Sequence, residues 1–428
     1  MKRKSIVLLP MAFLYGAGLL AAACSDSTSS TPTSPADGGA PDSTSPGPDA
    51  AKESATTDAG ATDASVSSEA AADSTPAEGA PAEAGSADTA SPAIDSGTDS
   101  AVDAGMDSGT ASLAALPGYT VSVFATGGTA YKGPDSLDLD GNHLWVGYQM
   151  GVKSKNGTDS GAPYNSTIVE YNLDGTLAGK SFDISGHADG VRVDPATHVV
   201  WATSNEDGNP VMMSFDPATN TSKTYTLPPM PHGGGIDDLA FIGGKLIVAL
   251  SAPTGDDAGA YTQPALAQVT VTGNAISLTP LLMGNANSGD ITVDSGAVAP
   301  LSLSDPDSMT VDDKGQLVLV SQADNLLVFI KNPGGTDAGA QSVSKLLVGT
   351  QLDDTVWAKS ATGYLLVADA IANTIYTIKS NFTPGTVYTE TPDDSTIPGI
   401  VGTVDLATGF VRPVILGFKK PTGMIFVP

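Results

Sequence analysis

Apolar residues between positions 119 and 428 occur in short runs that alternate with polar residues or are rich in β-branched side chains. Typical runs are YTVSVFA, HLWVGY, STIVEY, QLVLVS, LLVFIK and YLLVAD. Turn sequences such as DLDGN, DPATN and DDKGQ separate the runs, and no segment sustains the 3.6-residue period of a helix. This pattern predicts an all-β structure built from many short strands.

One short phrase recurs along these runs: an Asp, then a small or polar residue, then an apolar residue. The copies place this Asp at Asp135, Asp189, Asp237, Asp307 and Asp354, and a sixth, degenerate copy has Thr422 instead. A unit of about 50 residues with three or four strands is the size of a propeller blade. The repeat therefore predicts a six-bladed β-propeller. Seven blades stay open as the alternative, because the third and fifth units are long enough to contain further strands.

A propeller ring has to close, so the two ends of the repeat region should meet. The N-terminal run YTVSVFATG and the C-terminal run TGMIFVP are the natural candidates for strands of one shared blade. We therefore assign residues 113–428 to the propeller domain, which we expect to be monomeric.

The repeat resembles the NHL-repeat and SMP-30/gluconolactonase-like propellers at GPDSLDLDGNHLWVGY, HADGVRVDPATHVVWATS and GYLLVADAIANTIYTI. The resemblance implies an architecture more than an activity, since that group contains divalent-metal lactonases, lyases and binding scaffolds. Its lactonases hold their metal with a Glu near the first inner strand and with an Asn and an Asp from other blades. The segment GGTAYK before GPDSL contains no Glu, so this ligand set does not carry over.

The five repeated Asp residues should lie at the start of each innermost strand, near one mouth of the central channel. Two interpretations are open for this rim. Each carboxylate could cap its own turn by accepting backbone N–H bonds, or the carboxylates could form a shared ligand or metal site. Ca²⁺ or another divalent cation would suit such a ring, because hard cations prefer oxygen ligands.

Two histidines are the other candidates for chemistry on the same rim. His187 and His232 precede Asp189 and Asp237 by two and five residues, so each could act as a general base or a metal ligand. The sequence contains no G-x-S-x-G, P-loop, dinucleotide fingerprint or C-x-x-C motif, so these two residues are weak catalytic candidates.

The N-terminus has the features of an export signal. Three positive charges precede an apolar segment, and Ala21, Ala22 and Ala23 stand before Cys24, the only cysteine of the chain. The Ala-Ala-Ala-Cys sequence resembles the lipobox of bacterial lipoproteins, which implies that residues 1–23 are removed and that Cys24 is acylated. An ordinary cleaved signal with an incidental Cys and an uncleaved anchor are the alternatives.

Residues 24–112 are predicted to be a disordered tether. From position 25 the segment carries 16 acidic residues against one Lys and has no aromatic residue, so it cannot bury enough apolar surface to fold. The formal net charge of the whole chain is −28. Such a charge argues against nucleic acid as a partner and favours cations, neutral ligands or basic proteins.

Two functional interpretations follow. The first is a lipid-anchored propeller of the bacterial cell envelope, at the outer membrane, that presents a protein- or small-molecule-binding surface without catalysis. The second is a metal-dependent lactonase-like hydrolase or lyase.

If Cys24 is acylated, the Cys24→Ser variant should leave the detergent-soluble membrane fraction and appear in the periplasm or as an uncleaved precursor. The measurement is cell fractionation together with N-terminal sequencing of the mature protein. Unchanged fractionation and a mature N-terminus other than residue 24 would contradict the lipid anchor.

Overall fold

The computed structural model describes residues 113–158, 161–256, 259–290, 298–335, 339–392 and 399–428. The predicted signal, Cys24 and the predicted tether lie outside these residues. All regular structure in the described part is β-sheet. This part contains no helix of the length and apolarity that a membrane crossing needs.

Twenty-seven strands of the described residues form six sheets, which are the blades of a propeller. The chain begins with β1 (Ala114–Ala115) and β2 (Tyr119–Thr126). Blade 1 consists of β3 (Pro134–Asp140), β4 (His143–Tyr148), β5 (Asn165–Asn172) and β6 (Leu177–Ser185). Blade 2 consists of β7 (Ala188–Val193), β8 (Val200–Ser204), β9 (Val211–Asp216) and β10 (Thr221–Thr224). Blade 3 consists of β11 (Leu239–Ile242), β12 (Lys245–Ala249), β13 (Pro264–Thr272) and β14 (Ala275–Met283).

Blade 4 has six strands. They are β15 (Asn287–Asp290), β16 (Val298–Pro300), β17 (Pro306–Val311), β18 (Leu317–Ser321), β19 (Leu326–Lys331) and β20 (Ser342–Leu347). The innermost strand is β17, while β15 and β16 extend the outer edge beyond β20. The long third repeat unit therefore adds outer strands to a blade and not a seventh blade.

The last two blades are interleaved along the chain. The remaining strands are β21 (Thr355–Trp357), β22 (Tyr364–Asp369), β23 (Thr374–Ser380), β24 (Val387–Thr391), β25 (Gly399–Asp405), β26 (Phe410–Phe418) and β27 (Pro421–Val427). Blade 5 has the order β21-β24-β25-β26-β1, and blade 6 has the order β27-β22-β23-β2. The chain thus leaves blade 5 after its innermost strand, forms the β22–β23 hairpin in blade 6, and returns.

The YLLVAD run follows the fifth copy of the repeat along the chain, yet it forms β22 of blade 6 and not the second strand of blade 5. Strand β22 pairs antiparallel with β27, with Leu366 opposite Ile425, and β21 pairs with β24 instead. The sequence pattern of a strand does not specify whether it pairs with the inner strand of its own blade or with that of the next blade. Both inner strands offer the same backbone N–H and C=O groups.

The ring closes in blade 6, as predicted. The N-terminal β2 is its outermost strand and the C-terminal β27 is its innermost strand, with the β22–β23 hairpin between them. Asn373, in the turn of this hairpin, accepts a bond from the Gly133 amide (3.1 Å) and donates to the Tyr131 carbonyl (2.9 Å). These bonds tie the hairpin to the segment that connects β2 with blade 1.

The hydrophobic core consists of six clusters, one between each pair of adjacent blades. Trp145 packs between blades 1 and 2 against Phe215, and Trp357 packs between blades 4 and 5 against Phe329. Because each blade buries both faces against its neighbours, the stability of the ring depends on every interface.

Deletion of residues 421–428 should lower the free energy of unfolding by at least about 5 kcal/mol, because it removes Met424, Phe426 and Val427 from two interblade clusters. Phe426→Ala should lower it by about 3–5 kcal/mol. Thermal and denaturant unfolding measure both changes. Deletion of residues 25–112 is the control and should leave the transition unchanged; equal effects of the two deletions would contradict closure by β27.

Candidate functional site

The first residues of the six inner strands surround a cavity of about 280 Å³ at one mouth of the channel, here called the upper funnel. Its described lining is strongly acidic, because it contains ten carboxyl side chains but two lysines, one arginine and one histidine, His187. The acidic residues are Asp135, Asp189, Glu206, Asp207, Asp237, Asp238, Asp305, Asp307, Asp353 and Asp354.

All five Asp residues singled out in the sequence line this cavity, and so does His187. They come together because each begins, or directly precedes, an inner strand of a different blade. His232 is buried and is not among the described residues that line the funnel. Burial lowers the pKa of His232, and the Thr254 amide donates to its backbone carbonyl at 2.9 Å.

The fifth blade places Asp353, not Asp354, at the position equivalent to the other four. Asp354 Oδ2 accepts the Met424 amide of blade 6 (2.8 Å), just as Asp238 Oδ2 accepts the Met309 amide of blade 4 (2.8 Å). Asp354 and Asp238 therefore form a second layer, one residue deeper in the channel. The two successive Asp residues at this point made the alignment ambiguous by one residue.

An arginine closes the bottom of the upper funnel. The guanidinium of Arg192 donates from Nη1 to Ser136 Oγ (2.9 Å) and the Val191 carbonyl (2.8 Å), and from Nη2 to Asp238 Oδ2 (2.6 Å) and the Met309 carbonyl (3.2 Å). The side chain thus reaches from blade 2 to blades 1, 3 and 4. Burial alone would lower its pKa, but the surrounding carboxylates, Asp238 above all, raise it.

His187 is held by a carboxylate inside the funnel. Its Nδ1 lies 2.9 Å from Asp189 Oδ1, and both side chains are less than a tenth exposed. Burial lowers the pKa of His187, which favours the neutral form of the ring. A neutral imidazole that is oriented by a carboxylate can accept a proton or bind a metal through its other nitrogen.

Three further carboxyls interact across blades 2, 3 and 4. Asp237 lies next to both Asp307 and Glu206. Two neighbouring carboxyls repel each other when both are ionised, so a proton or a cation between them is favoured. Burial and neighbouring carboxylates raise the pKa of Asp237 and Asp307 well above the usual value, whereas Lys155 overcomes burial and lowers that of Glu206.

Two more carboxyls of the funnel have raised pKa values. Burial, with the charge of Asp189, raises the pKa of Asp135 to about 8. Burial raises the pKa of Asp238 to about 7 even though Arg192 opposes the shift. Burial and mutual repulsion therefore disfavour full ionisation of the funnel carboxyls.

Glu390 is a site residue that sequence reasoning missed. It lies on β24, is fully buried, and neither of its carboxyl oxygens has a hydrogen-bond partner among the described residues. Burial and the charges of Asp353, Asp354 and Asp135 raise its pKa. Asp353 and Asp354 belong to blade 5 and Asp135 belongs to blade 1, and blade 6 lies between these two blades in the ring. The Glu390 carboxyl is therefore on the side of blade 5 that faces blade 6, whose inner strand has Thr422 at the position of the repeated Asp. No repeat pattern marks this residue, because the other blades have Gly, Ala, Val or Thr at its position.

The two interpretations of the rim differ in where the carboxylates find their partners. Asp189 accepts the Glu206 amide at 3.1 Å, and Asp354 accepts an amide of the next blade. Within the described residues, Asp135, Asp237 and Asp307 accept no amide of their own turns. Local capping therefore does not account for the repetition of Asp at these three positions.

The positions of the side chains also limit the ways in which the funnel could hold a metal ion. No three His, Cys, Asp or Glu side chains of the described residues are already arranged to hold a metal ion. A cation in the upper funnel would be held with intervening water, or after carboxyls of the lining turn toward it. Asp238 Oδ1 lines the funnel and lacks a hydrogen-bond partner among the described residues, so it is one oxygen atom available for this.

The sequence matches no protein-family model and no curated protein. Solved structures similar to this chain include a proposed gluconolactonase, at 8% identity and a TM-score of 0.41, covering 72% of this chain and 85% of that one. A catalytically inactive virginiamycin B lyase from Staphylococcus aureus with quinupristin has 11% identity, a TM-score of 0.39, and coverage of 72% and 96%. A proposed 6-phosphogluconolactonase from Bacteroides fragilis has 14% identity, a TM-score of 0.30, and coverage of 64% and 96%. These values assign no activity to this chain, and its propeller fold rests on its own six sheets.

Stability in the absence of divalent cations should fall as the pH rises from about 4 through about 8. The folded protein binds more protons than the unfolded chain in this interval, because the funnel carboxyls have raised pKa values, that of Asp135 to about 8. The melting temperature in chelator should therefore be lower at pH 8.5 than at pH 5.5. Asp135→Asn should flatten this dependence, whereas Asp183→Asn, an exposed position on β6, should not. A melting temperature that rises over the interval would show that the funnel carboxyls ionise without penalty.

Proposed function

We propose that this protein is an exported, lipid-anchored propeller that binds a divalent cation in the upper funnel and acts without catalysis. The observation that carries the proposal is the concentration of ten carboxyl side chains against three permanently cationic ones around a single cavity. Buried like charges are unfavourable unless protons or a cation neutralise them. Asp238 Oδ1, a buried oxygen of the lining that has no hydrogen-bond partner among the described residues, supports the same conclusion.

The chemistry of the lining favours a hard cation such as Ca²⁺. The available ligands are carboxyl and amide oxygens, with one oriented imidazole, and no thiol lies in the described part of the funnel. Each cation bound would displace protons from the carboxyls, so binding should strengthen as the pH rises.

The anchor and the tether set the place of this site. The proposed acyl group on Cys24 would attach the protein to a bacterial envelope membrane, and residues 24–112 would let the propeller, residues 113–428, extend away from it. The ligand- or protein-binding surface would then be the funnel and the loops around its mouth.

Ca²⁺ should raise the melting temperature of the purified protein, and chelator should reverse the shift, because a ligand that binds only the folded state stabilises it by mass action. The shift should be larger at pH 8 than at pH 6. Asp237→Asn should reduce it, and Asp183→Asn should leave it unchanged. No shift with Ca²⁺, Mg²⁺ or Mn²⁺, or a shift produced only by the polyamine spermidine, would contradict the divalent-cation site.

The second candidate is a metal-dependent lactonase-like hydrolase or lyase of the SMP-30/gluconolactonase-like class. The His187–Asp189 pair favours it, because a neutral, oriented imidazole beside a bound cation is the arrangement that general-base chemistry needs. Lactone hydrolysis by the Ca²⁺- or Mn²⁺-loaded protein that is lost in His187→Gln, with the thermal shift retained, would decide for this alternative.

A further inference from the structure

The channel has a second cavity, of about 550 Å³, at the end opposite the upper funnel. It is lined by the second halves of the inner strands of all six blades and by the turns that follow them, and we call it the lower cavity. Only Arg192 and Asp354 line both cavities. The lower cavity is therefore a separate site, and Arg192 is the partition between the two.

The walls of the lower cavity include a ring of apolar side chains that are incompletely covered. Leu139, Phe241, Val311 and Ile425 come from four different blades and are each only half-buried, although they lie on innermost strands. A concave apolar surface of this size is typical of a site for a small molecule, because its contact with water is unfavourable.

Two carboxyl side chains lie at the inner end of the lower cavity. Asp138 and Asp354 line it beside Arg192, whose two terminal nitrogens already bond to Ser136, Asp238 and two backbone carbonyls. Asp138 Oδ2 accepts the Val193 amide at 2.7 Å, and burial disfavours the ionised form of this carboxyl. An added positive charge at this depth would favour ionisation and complement both carboxylates.

The outer rim carries groups of both signs. The His198 imidazole is exposed and its Nδ1 lies 2.6 Å from Asp140 Oδ1, while Lys359 is exposed on the opposite side of the rim. Charges at this rim are screened by water, so they discriminate between ligands less than the buried carboxylates at the inner end do.

We propose that the lower cavity binds an amphiphilic amine, with its apolar body against the ring of inner-strand side chains and its ammonium group directed toward Asp138 and Asp354. The apolar walls supply affinity, and the buried carboxylates select the positive charge. The proposal does not rest on the cation site in the upper funnel, although Asp354 lines both cavities.

The test compares n-alkylammonium ions from butyl to octyl with the matching carboxylates and alcohols, all below their micelle concentrations, by isothermal titration calorimetry. Affinity for the ammonium series should rise about fourfold per added methylene, and octylammonium should bind at least tenfold more tightly than octanoate. Equal or tighter binding of octanoate would overturn the proposal by assigning recognition to Lys359 and His198.

Matched variants locate the site. Asp138→Asn keeps an acceptor for the Val193 amide but removes the charge, so it should weaken octylammonium and leave octanol unchanged. Val311→Trp should fill the cavity and abolish binding of both, with circular dichroism to verify folding. Asp237→Asn, in the upper funnel, is the control and should bind octylammonium like the wild type. Binding that survives Val311→Trp in a folded protein would show that the amine is bound elsewhere.

Discussion

Ring closure is the constraint on which the rest of this structure depends. A single blade is apolar on both faces and cannot bury either of them alone, so each blade is stable only between two neighbours. Six interblade clusters satisfy this requirement, and the last of them needs strands from both ends of the described chain. The same closure brings the starts of six inner strands around one axis. A residue that recurs at the start of the inner strands therefore lies at the same cavity in every blade that contains it.

The electrostatics of the channel follow from this geometry. An Asp that would be harmless in an isolated turn becomes one of several carboxyls in a confined space, where burial and like charges raise the pKa. Arg192 neutralises the deeper layer around Asp238, but it also blocks the channel. Among the described lining residues, the upper layer has Lys155 and Lys420 as its lysines, and Lys155 is already paired with Glu206. The balance of charge in the upper funnel must therefore come from protons or from a bound cation.

Much of the fold and of the funnel lining could be predicted from the periodic sequence. The features that could not be predicted have local physical causes. Six blades and the shared closing blade were predicted, because the burial of strand side chains between blades determines both the repeat and the apolar pattern of the strands. The one-residue error at Asp354 arose where two acidic residues adjoin, so that composition could not set the register. The β22–β23 hairpin lies in blade 6 although it follows the inner strand of blade 5 along the chain, because tertiary structure and not sequence order decides which strands pair. Glu390 and Arg192 each occur in one blade only, and a search for repeated residues cannot find a residue that departs from the repeat.

Repetition of a residue can reflect a local need of every unit or a shared need of the assembly, and the hydrogen bonds distinguish the two. A capping Asp would accept amides of its own turn, and its pKa would fall because those bonds stabilise the charge. Asp135 and Asp307 show the opposite: their pKa values are raised by burial and by other carboxyls. Carboxyls in this state destabilise the folded protein at neutral pH. The ring of six blades, and the positive charge that its upper funnel can bind, explain why these carboxyls surround one cavity. The local turns in which they lie do not explain it.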